Sequence, residues 1–321
     1  MKNSMGRLAE HPFLRELDQG SLEVISRGAE EVVFEAQEII ARENEPANRF
    51  YLIEAGEVAL EAHASGRGDV LIQKIGPGDV LGWSWLFAPF LWQFRARASK
   101  RTKAICLDGG QVLVSCEENH NFGYELMKRV AQVVVERLQA ARRRLMERRP
   151  RAWEPVILSS ASRPEGPSEL EAAIAEHPFL TGLTAPHLKL LASHALQSHF
   201  ESGAMIFKTG DPANRFYVIQ NGRISLEAPS ADGGVLIQII GDGDVLGWSW
   251  LYEPYTWHFN ARALQPTSAI FFYGTRLRDV CESNHDLGYE LMRRITHVVI
   301  QRLQAARRQL VEAQPSSVIC Q

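Results

Sequence analysis

The 321-residue chain has no apolar run approaching the ~20 residues that a membrane-spanning helix needs. Its opening stretch, MKNSMGRLAEHPF, lacks the apolar segment of a secretory leader. Together these absences predict a cytoplasmic protein with no membrane partner. Cysteine is scarce: the four residues Cys106, Cys116, Cys281 and Cys320 form no C-x-x-C pair, so reduced thiols are expected and not a disulfide framework. The net charge of -3 carries no general attraction for a polyanion. Catalytic signatures are missing as well. There is no G-x-S-x-G, no P-loop and no H-E-x-x-H, and no cluster of nucleophile, base or metal ligands, so the chain is not expected to be an enzyme. What is present is an ordinary folded composition, 45% hydrophobic and 23% charged, on a chain long enough for two cores.

The dominant feature is an internal duplication. His11-Pro12-Phe13-Leu14 returns as His177-Pro178-Phe179-Leu180, and Ala47-Asn48-Arg49-Phe50-Tyr51 returns as Ala213-Asn214-Arg215-Phe216-Tyr217. GDVLGWSWL at 78–86 recurs unchanged at 243–251, and RLQAARR at 137–143 recurs at 302–308. The offset drops from 166 to 165 between Tyr51 and Val70, which places a one-residue loss in a hairpin loop. The predicted organisation is a first domain at 1–148, a proline- and serine-rich linker at 149–167, a second domain at 168–314 and a tail at 315–321. Within the linker, Val156-Ile157-Leu158 could pack on a domain surface.

Each copy opens with a short helix and an H-P-F-L turn. Strands are expected at 31–34 and 39–40, as a pair at 50–53 and 58–60 around Gly56, and at 70–75, 104–107 and 112–114. Many short strands separated by glycine turns indicate a mainly β roll or jelly roll and not βαβ units. Each copy ends in a long helix. Val130, Val134, Leu138, Ala141 and Leu145 form a near-heptad stripe, repeated by Ile295, Val299, Leu303, Ala306 and Leu310. Such a stripe needs a covering surface. It fits a dimerisation helix, pairing either the two copies of one chain as a pseudo-dimer or two chains as a homo-oligomer, and it also fits a helix packed on its own roll.

G-D-V-L-G after a strand, the Gly56 and Gly222 turns and the long terminal helix resemble the cyclic-nucleotide-binding domain family of catabolite-activator and Fnr-like sensors, kinase regulatory subunits and gated channels. The resemblance covers both halves and implies two tandem jelly-roll (double-stranded β-helix) domains, mainly β with helices. It implies a phosphate cradle at a short helix start, a glutamate for the ribose hydroxyl and an arginine fork for the cyclic phosphate. Gly82 and Gly247 keep the first part. Trp83 and Trp248 stand at the glutamate position, and Trp92 and Trp257 fall at the arginine position, within W-Q-F-R-A-R-A and W-H-F-N-A-R-A. The W-S-W-L and W-x-F-x-A-R-A stretches resemble a subgroup of small bacterial proteins of this family, and no fixed ligand follows from that.

Three readings of the tryptophans stay open: a pocket rebuilt for a flatter or more apolar small molecule, a pocket collapsed into core, or ordinary cyclic nucleotide binding in which Arg95, Arg97 or Arg262 replaces the lost anchor. Ser84 and Ser249 are candidates to satisfy an indole N–H or to cap the short helix. No cofactor is implied beyond such a small-molecule ligand. The ten residues after the second long helix, 312–321, cannot build a helix-turn-helix, so direct DNA binding is not expected and output through a protein partner is. The arginines at 137, 142, 143, 144, 148, 149 and 151 are expected on a solvated helix face, with Glu136 and Glu147 interspersed. Cys116 and His120, like Cys281 and His285, stand four apart and would share a face of one helix, where packing or capping is the expected role. His11 and His177 are expected to be structural, and Glu125–Arg129 and Glu290–Arg294 to pair along a helix.

Overall fold

A computed structural model describes residues 2–64, 68–87, 89–148, 167–229, 235–251 and 255–312. The chain divides into two compact units, Met1–Arg148 with Ile295–Gln321, and Arg149–Arg294. Residues 149–166 of the expected 149–167 linker, with Val156-Ile157-Leu158, the tail at 315–321 and Cys320 lie outside the described residues, as do the side chains of Leu145 and Leu310, whereas Pro167 opens the helix Pro167–Glu176.

In the first unit, helices Lys2–Glu10 and Gln19–Ser26 precede a six-stranded antiparallel roll. Its spine is two long strands, Arg49–Ala64 and Arg95–Asp108, which pair along their length. Glu30–Phe34 and Ile39–Ala41 pair with Arg95–Asp108, while Gly68–Ile75 and Val80–Leu81 pair with Arg49–Ala64. The expected strand pair around Gly56 is therefore one continuous strand that bends. Gly56 sits at φ +93°, and a Cβ there would stand 2.4 Å from the Arg101 carbonyl oxygen, so only glycine lets the two strands cross this closely.

In the second unit the same bend, at Gly222 with φ +122°, divides the equivalent strand into Arg215–Asn221 and Ile224–Ala228. The roll then reads as two four-stranded sheets. Leu60 faces Gln73 and Leu226 faces Gln238, so the offset changes from 166 to 165 within this hairpin, where the sequence places the lost residue. Ile53, Val58 and Ala96 lie fully buried between the layers of the first roll, as do Ile219, Ile224 and Ala261 in the second.

Residues 112–114 are helical and not a strand. Asp108 caps the helix Gly109–Glu118 by accepting from the Gln111 N–H at 2.9 Å, and Val112 and Cys116, one turn apart, bury the same face. Asn119 then breaks the chain at φ -137°, and its side chain accepts from the Phe122 N–H at 3.2 Å to start the long helix His120–Arg148. Asn284 does the same ahead of His285–Glu312. Cys116 and His120 therefore belong to different helices and do not share a face. His11 and His177 are structural: each ring links the turn to the roll, at 3.3 Å from the Ile53 carbonyl and 3.1 Å from that of Ile219. Arg129 donates to Glu125 at 2.8 Å and Arg294 to Glu290 at 3.2 Å, as the helical spacing predicts. Among the described residues no helix is long and apolar enough to cross a membrane.

Candidate functional site

The turn at Gly76–Asp79 is tied by the Asp79 carboxylate, which accepts from the Gly76 N–H at 2.9 Å. The short strand Val80–Leu81 carries the chain back along Tyr51 and Leu52 and delivers Gly82 and Trp83 to the start of a 3₁₀ turn, Ser84–Leu86. Gly82 has φ +86° and forms the floor on which the Trp92 indole lies. A Cβ at Gly82 would stand 2.5 Å from Trp92 Cη2 and 2.7 Å from the Arg49 carbonyl oxygen. The second unit repeats this arrangement: Gly247 has φ +87°, and its Cβ would stand 2.8 Å from both Trp257 Cη2 and the Arg215 carbonyl. There the indole is also stacked on Phe207 at 3.9 Å; position 41, the counterpart of Phe207 at the 166-residue offset, is alanine.

The second tryptophan of each W-S-W-L stretch does a different job. A Cβ on Gly109 would meet Trp85 Cγ at 2.5 Å, and one on Gly274 would meet Trp250 Cβ at 2.7 Å. Each indole thus presses the 3₁₀ turn onto the start of the helix that leaves the roll, and each makes an edge contact with Phe50 or Phe216. The ring Nε1 atoms of Trp85 and Trp250 are buried with no hydrogen-bond partner. Ser84 does not cap the turn, since Trp83 occupies the cap position without a side-chain bond. The Ser249 hydroxyl lies 3.3 Å from His258 Nδ1.

A small cavity of about 30 Å³ remains in the first unit, walled by Gly82, Trp83, Ser84, Trp92 and Phe94 from the roll and by Arg137, Gln304 and Arg307 from helices. That is room for one or two waters. Arg137 lies over the Trp83 ring at 4.5 Å, and Arg307 lies 5.8 Å from the same ring. The expectation of a solvated arginine face therefore fails at its centre: Arg137 and Arg142 are 5% and 3% exposed, and only Arg143 and Arg144 are on the surface. The side chains at 147, 148, 149 and 151 lie outside the described residues. The Trp83 ring under Arg137 offsets part of the cost of burying the guanidinium, because its planar face stacks on the indole.

Arg95, Arg97 and Arg262 do not wall the cavity. Arg95 and Arg97 both donate to Glu61, and Arg95 also pairs with Asp69. Burial raises the Glu61 carboxyl, but the bonds from Arg97 and Arg95 outweigh it and hold it below the usual carboxylate range. Arg262 donates to the Gly203 carbonyl at 2.9 Å and lies 3.8 Å from Glu227. Of the predicted residues in the first roll, the structure thus brings Gly82, Trp83, Ser84 and Trp92 together and separates Arg95 and Arg97 from them. In the second it brings Gly247 against Trp257. Residues missed from sequence as part of this site are Arg137, Gln304 and Arg307. Their one signal was the unchanged RLQAARR stretch, whose two copies at 137–143 and 302–308 contain all three. No group of three or more His, Cys, Asp or Glu side chains able to hold a metal occurs among the described residues.

A two-layered roll with a glycine turn, a short 3₁₀ turn at the site and a long exit helix, built twice in one chain, defines a tandem fold of the cyclic-nucleotide-binding type. The model for the cyclic nucleotide-binding domain matches residues 31–119 and 197–284, and the chain belongs to that family. Similar solved structures include the regulatory domain of Toxoplasma gondii PKA with cAMP, at 16% identity over 89% of this chain and 94% of that one, with a TM-score of 0.34. A putative cyclic nucleotide-binding protein from Geobacter metallireducens GS-15 is 29% identical over 43% of this chain and 98% of its own, with a TM-score of 0.38. A cyclic nucleotide-binding domain from Methylobacillus flagellatus KT is 15% identical over 48% and 89%, with a TM-score of 0.43. At these scores the likenesses carry no weight beyond the family match. Curated proteins give no match.

Proposed function

We propose that this chain is a non-catalytic regulatory protein whose two cyclic-nucleotide-binding domains do not take a cyclic nucleotide in the family's usual way. The observation that carries this reading is the Trp92 ring lying on Gly82, where the resemblance puts the cyclic phosphate against backbone N–H groups. Trp257 lies on Gly247 in the same manner. An indole offers one N–H donor and no acceptor, so neither Trp83 nor Trp248 can accept from a ribose hydroxyl, and Trp92 and Trp257 bring no charge to a phosphate. The arginines next in sequence, Arg95 and Arg97, are committed to Glu61. The remaining cavity of about 30 Å³ compares with the ~300–1,000 Å³ of ordinary small-molecule pockets.

A regulatory output needs a mechanical link from site to surface, and Trp85 packed on Gly109 supports one, since displacing the 3₁₀ turn would push the helix that follows. The stripes Val130, Val134, Leu138, Ala141 and Ile295, Val299, Leu303, Ala306 are all buried within the first unit. That favours pairing inside one chain over a homo-oligomer built on these stripes, and a protein partner would read the surface they leave. Isothermal titration calorimetry of the full chain with cyclic AMP tests the reading. Folded protein is expected to give no saturable heat, and micromolar saturable binding would overturn it.

A further inference from the structure

The first unit buries two arginines at one cavity beside a single, partly exposed carboxylate partner, Asp79. Arg137 Nη2 donates to the Val80 carbonyl at 2.7 Å and lies 3.4 Å from Asp79 Oδ1, while its Nη1 is buried with no hydrogen-bond partner. Arg307 donates to Gln73 Oε1 and otherwise faces the rings of Trp83 and Phe94. Burial pushes the Arg137 guanidinium down to about 10, against the pull of Asp79. Burial, reinforced by Arg137 and Arg144, pushes Arg307 down to about 9. Arginine keeps its proton at neutral pH, so both charges remain and repel where solvent screens them poorly. Asp79, the carboxylate within bonding reach of Arg137 among the described residues, is 44% exposed, and Glu136 acts on Arg137 more weakly still. A buried cation pair in this state calls for an anion.

We infer that this cavity is a site for a compact oxyanion, a carboxylate or phosphate group, clasped by Arg137 and Arg307 over Trp83. The guanidinium forks match either group's oxygens, and the Ser84 hydroxyl and Gln304 amide on the wall add donors. The site rests on reading the first unit as a ligand sensor, and it moves the anchoring charge from the roll to the helices. Arg142 and Arg302, the counterparts of Arg307 and Arg137 at the 165-residue offset, are buried too, and burial followed by Arg302 pushes Arg142 down to about 9. A helix with a merely solvated face needs neither arginine.

The test is calorimetry and thermal unfolding of the full chain with sodium phosphate and, separately, sodium acetate, at ionic strength held constant with sodium chloride. At least one anion is expected to give saturable heat and a Tm that climbs with the logarithm of its concentration. Binding weakens tenfold or more in Arg307→Gln and is unchanged in Arg101→Gln, an exposed arginine paired with Glu35. General salting-out by phosphate raises all three proteins alike. The better-bound anion identifies the ligand's charged group. Absence of saturable heat with both anions, or equal affinity in wild type and Arg307→Gln, overturns the site. Should Arg307→Gln fail to fold, Arg307→Lys keeps the charge without the fork and is expected to bind more weakly, and the wild-type isotherm still decides alone. Cyclic AMP run in parallel separates the two proposals: binding that depends on Arg307 keeps the anion site and ends the functional reading, whereas cyclic AMP binding indifferent to Arg307, with neither anion bound, ends both.

Discussion

Gly82→Ala adds one methyl group at the point where backbone, indole and turn converge. Two costs follow from the geometry. At φ +86° an alanine pays the left-handed penalty of roughly 1–2 kcal/mol. Its Cβ would also stand 2.5 Å from Trp92 Cη2 and 2.7 Å from the Arg49 carbonyl, and overpacking of this kind costs about 1–3 kcal/mol. The sum is about 2–5 kcal/mol, which for a unit of this size lowers Tm by roughly 4–20 °C. The part owed to the indole can be isolated in a double-mutant cycle. Trp92→Ala alone costs about 3–5 kcal/mol as a buried aromatic truncation, and in Gly82→Ala/Trp92→Ala the methyl group no longer meets the ring. The double variant should therefore be more stable than the sum of the singles by about 1–2 kcal/mol, measured by chemical denaturation followed by circular dichroism. The same non-additivity should appear for Gly247→Ala with Trp257→Ala. Additivity within about 0.5 kcal/mol in both copies would refute the claim that the tryptophans occupy the glycine floor.

Two further outcomes follow from buried polar groups. Burial depresses the basicity of His11 and His177, against the opposing pull of the Ile53 and Ile219 carbonyls. Their unfolded forms take a proton near the ordinary 6.5, so the stability they contribute is present above that pH and is lost as pH falls below it. Wild-type Tm should drop between pH 7 and pH 5 with a shallower slope in His11→Gln/His177→Gln, and identical slopes would count against this. Glu61→Gln removes the shared partner of Arg95 and Arg97 and should cost about 1–3 kcal/mol, below the cost of breaking a fully buried pair because both arginines are partly exposed. The Glu61 contribution is present above the ordinary carboxylate value of 4.5 and disappears as pH falls through its lower folded value, so the variant and wild type should converge in stability at acid pH.

Some features of the molecule were open to inspection in the residues alone. The duplication, the mainly β rolls and the terminal helices follow from local pattern: repeated motifs, turn glycines, and apolar periods of two or about 3.6 that each segment carries by itself. Two expectations failed on local grounds. Residues 112–114 read as a strand because two valines flank a leucine, yet the Asp108 cap and the Val112–Cys116 spacing make a helix. Cys116 and His120 read as one helical face because spacing is blind to the Asn119 cap between them.

The residues alone brought Gly82, Trp83, Ser84 and Trp92 to one place on the roll, since strand register and turn glycines are set within tens of residues, but they did not separate Arg95 and Arg97 from it. What covers that place on the roll is fixed by the folded molecule instead. Whether Arg137 points to water or lies on Trp83, and whether Arg307 arrives beside it, depends on contacts between segments as far apart as residues 83 and 307. An arginine pattern on a helix is the same string whether its face is wet or buried. Burial is a property of the surface that meets the helix, and no local period encodes which surface that is.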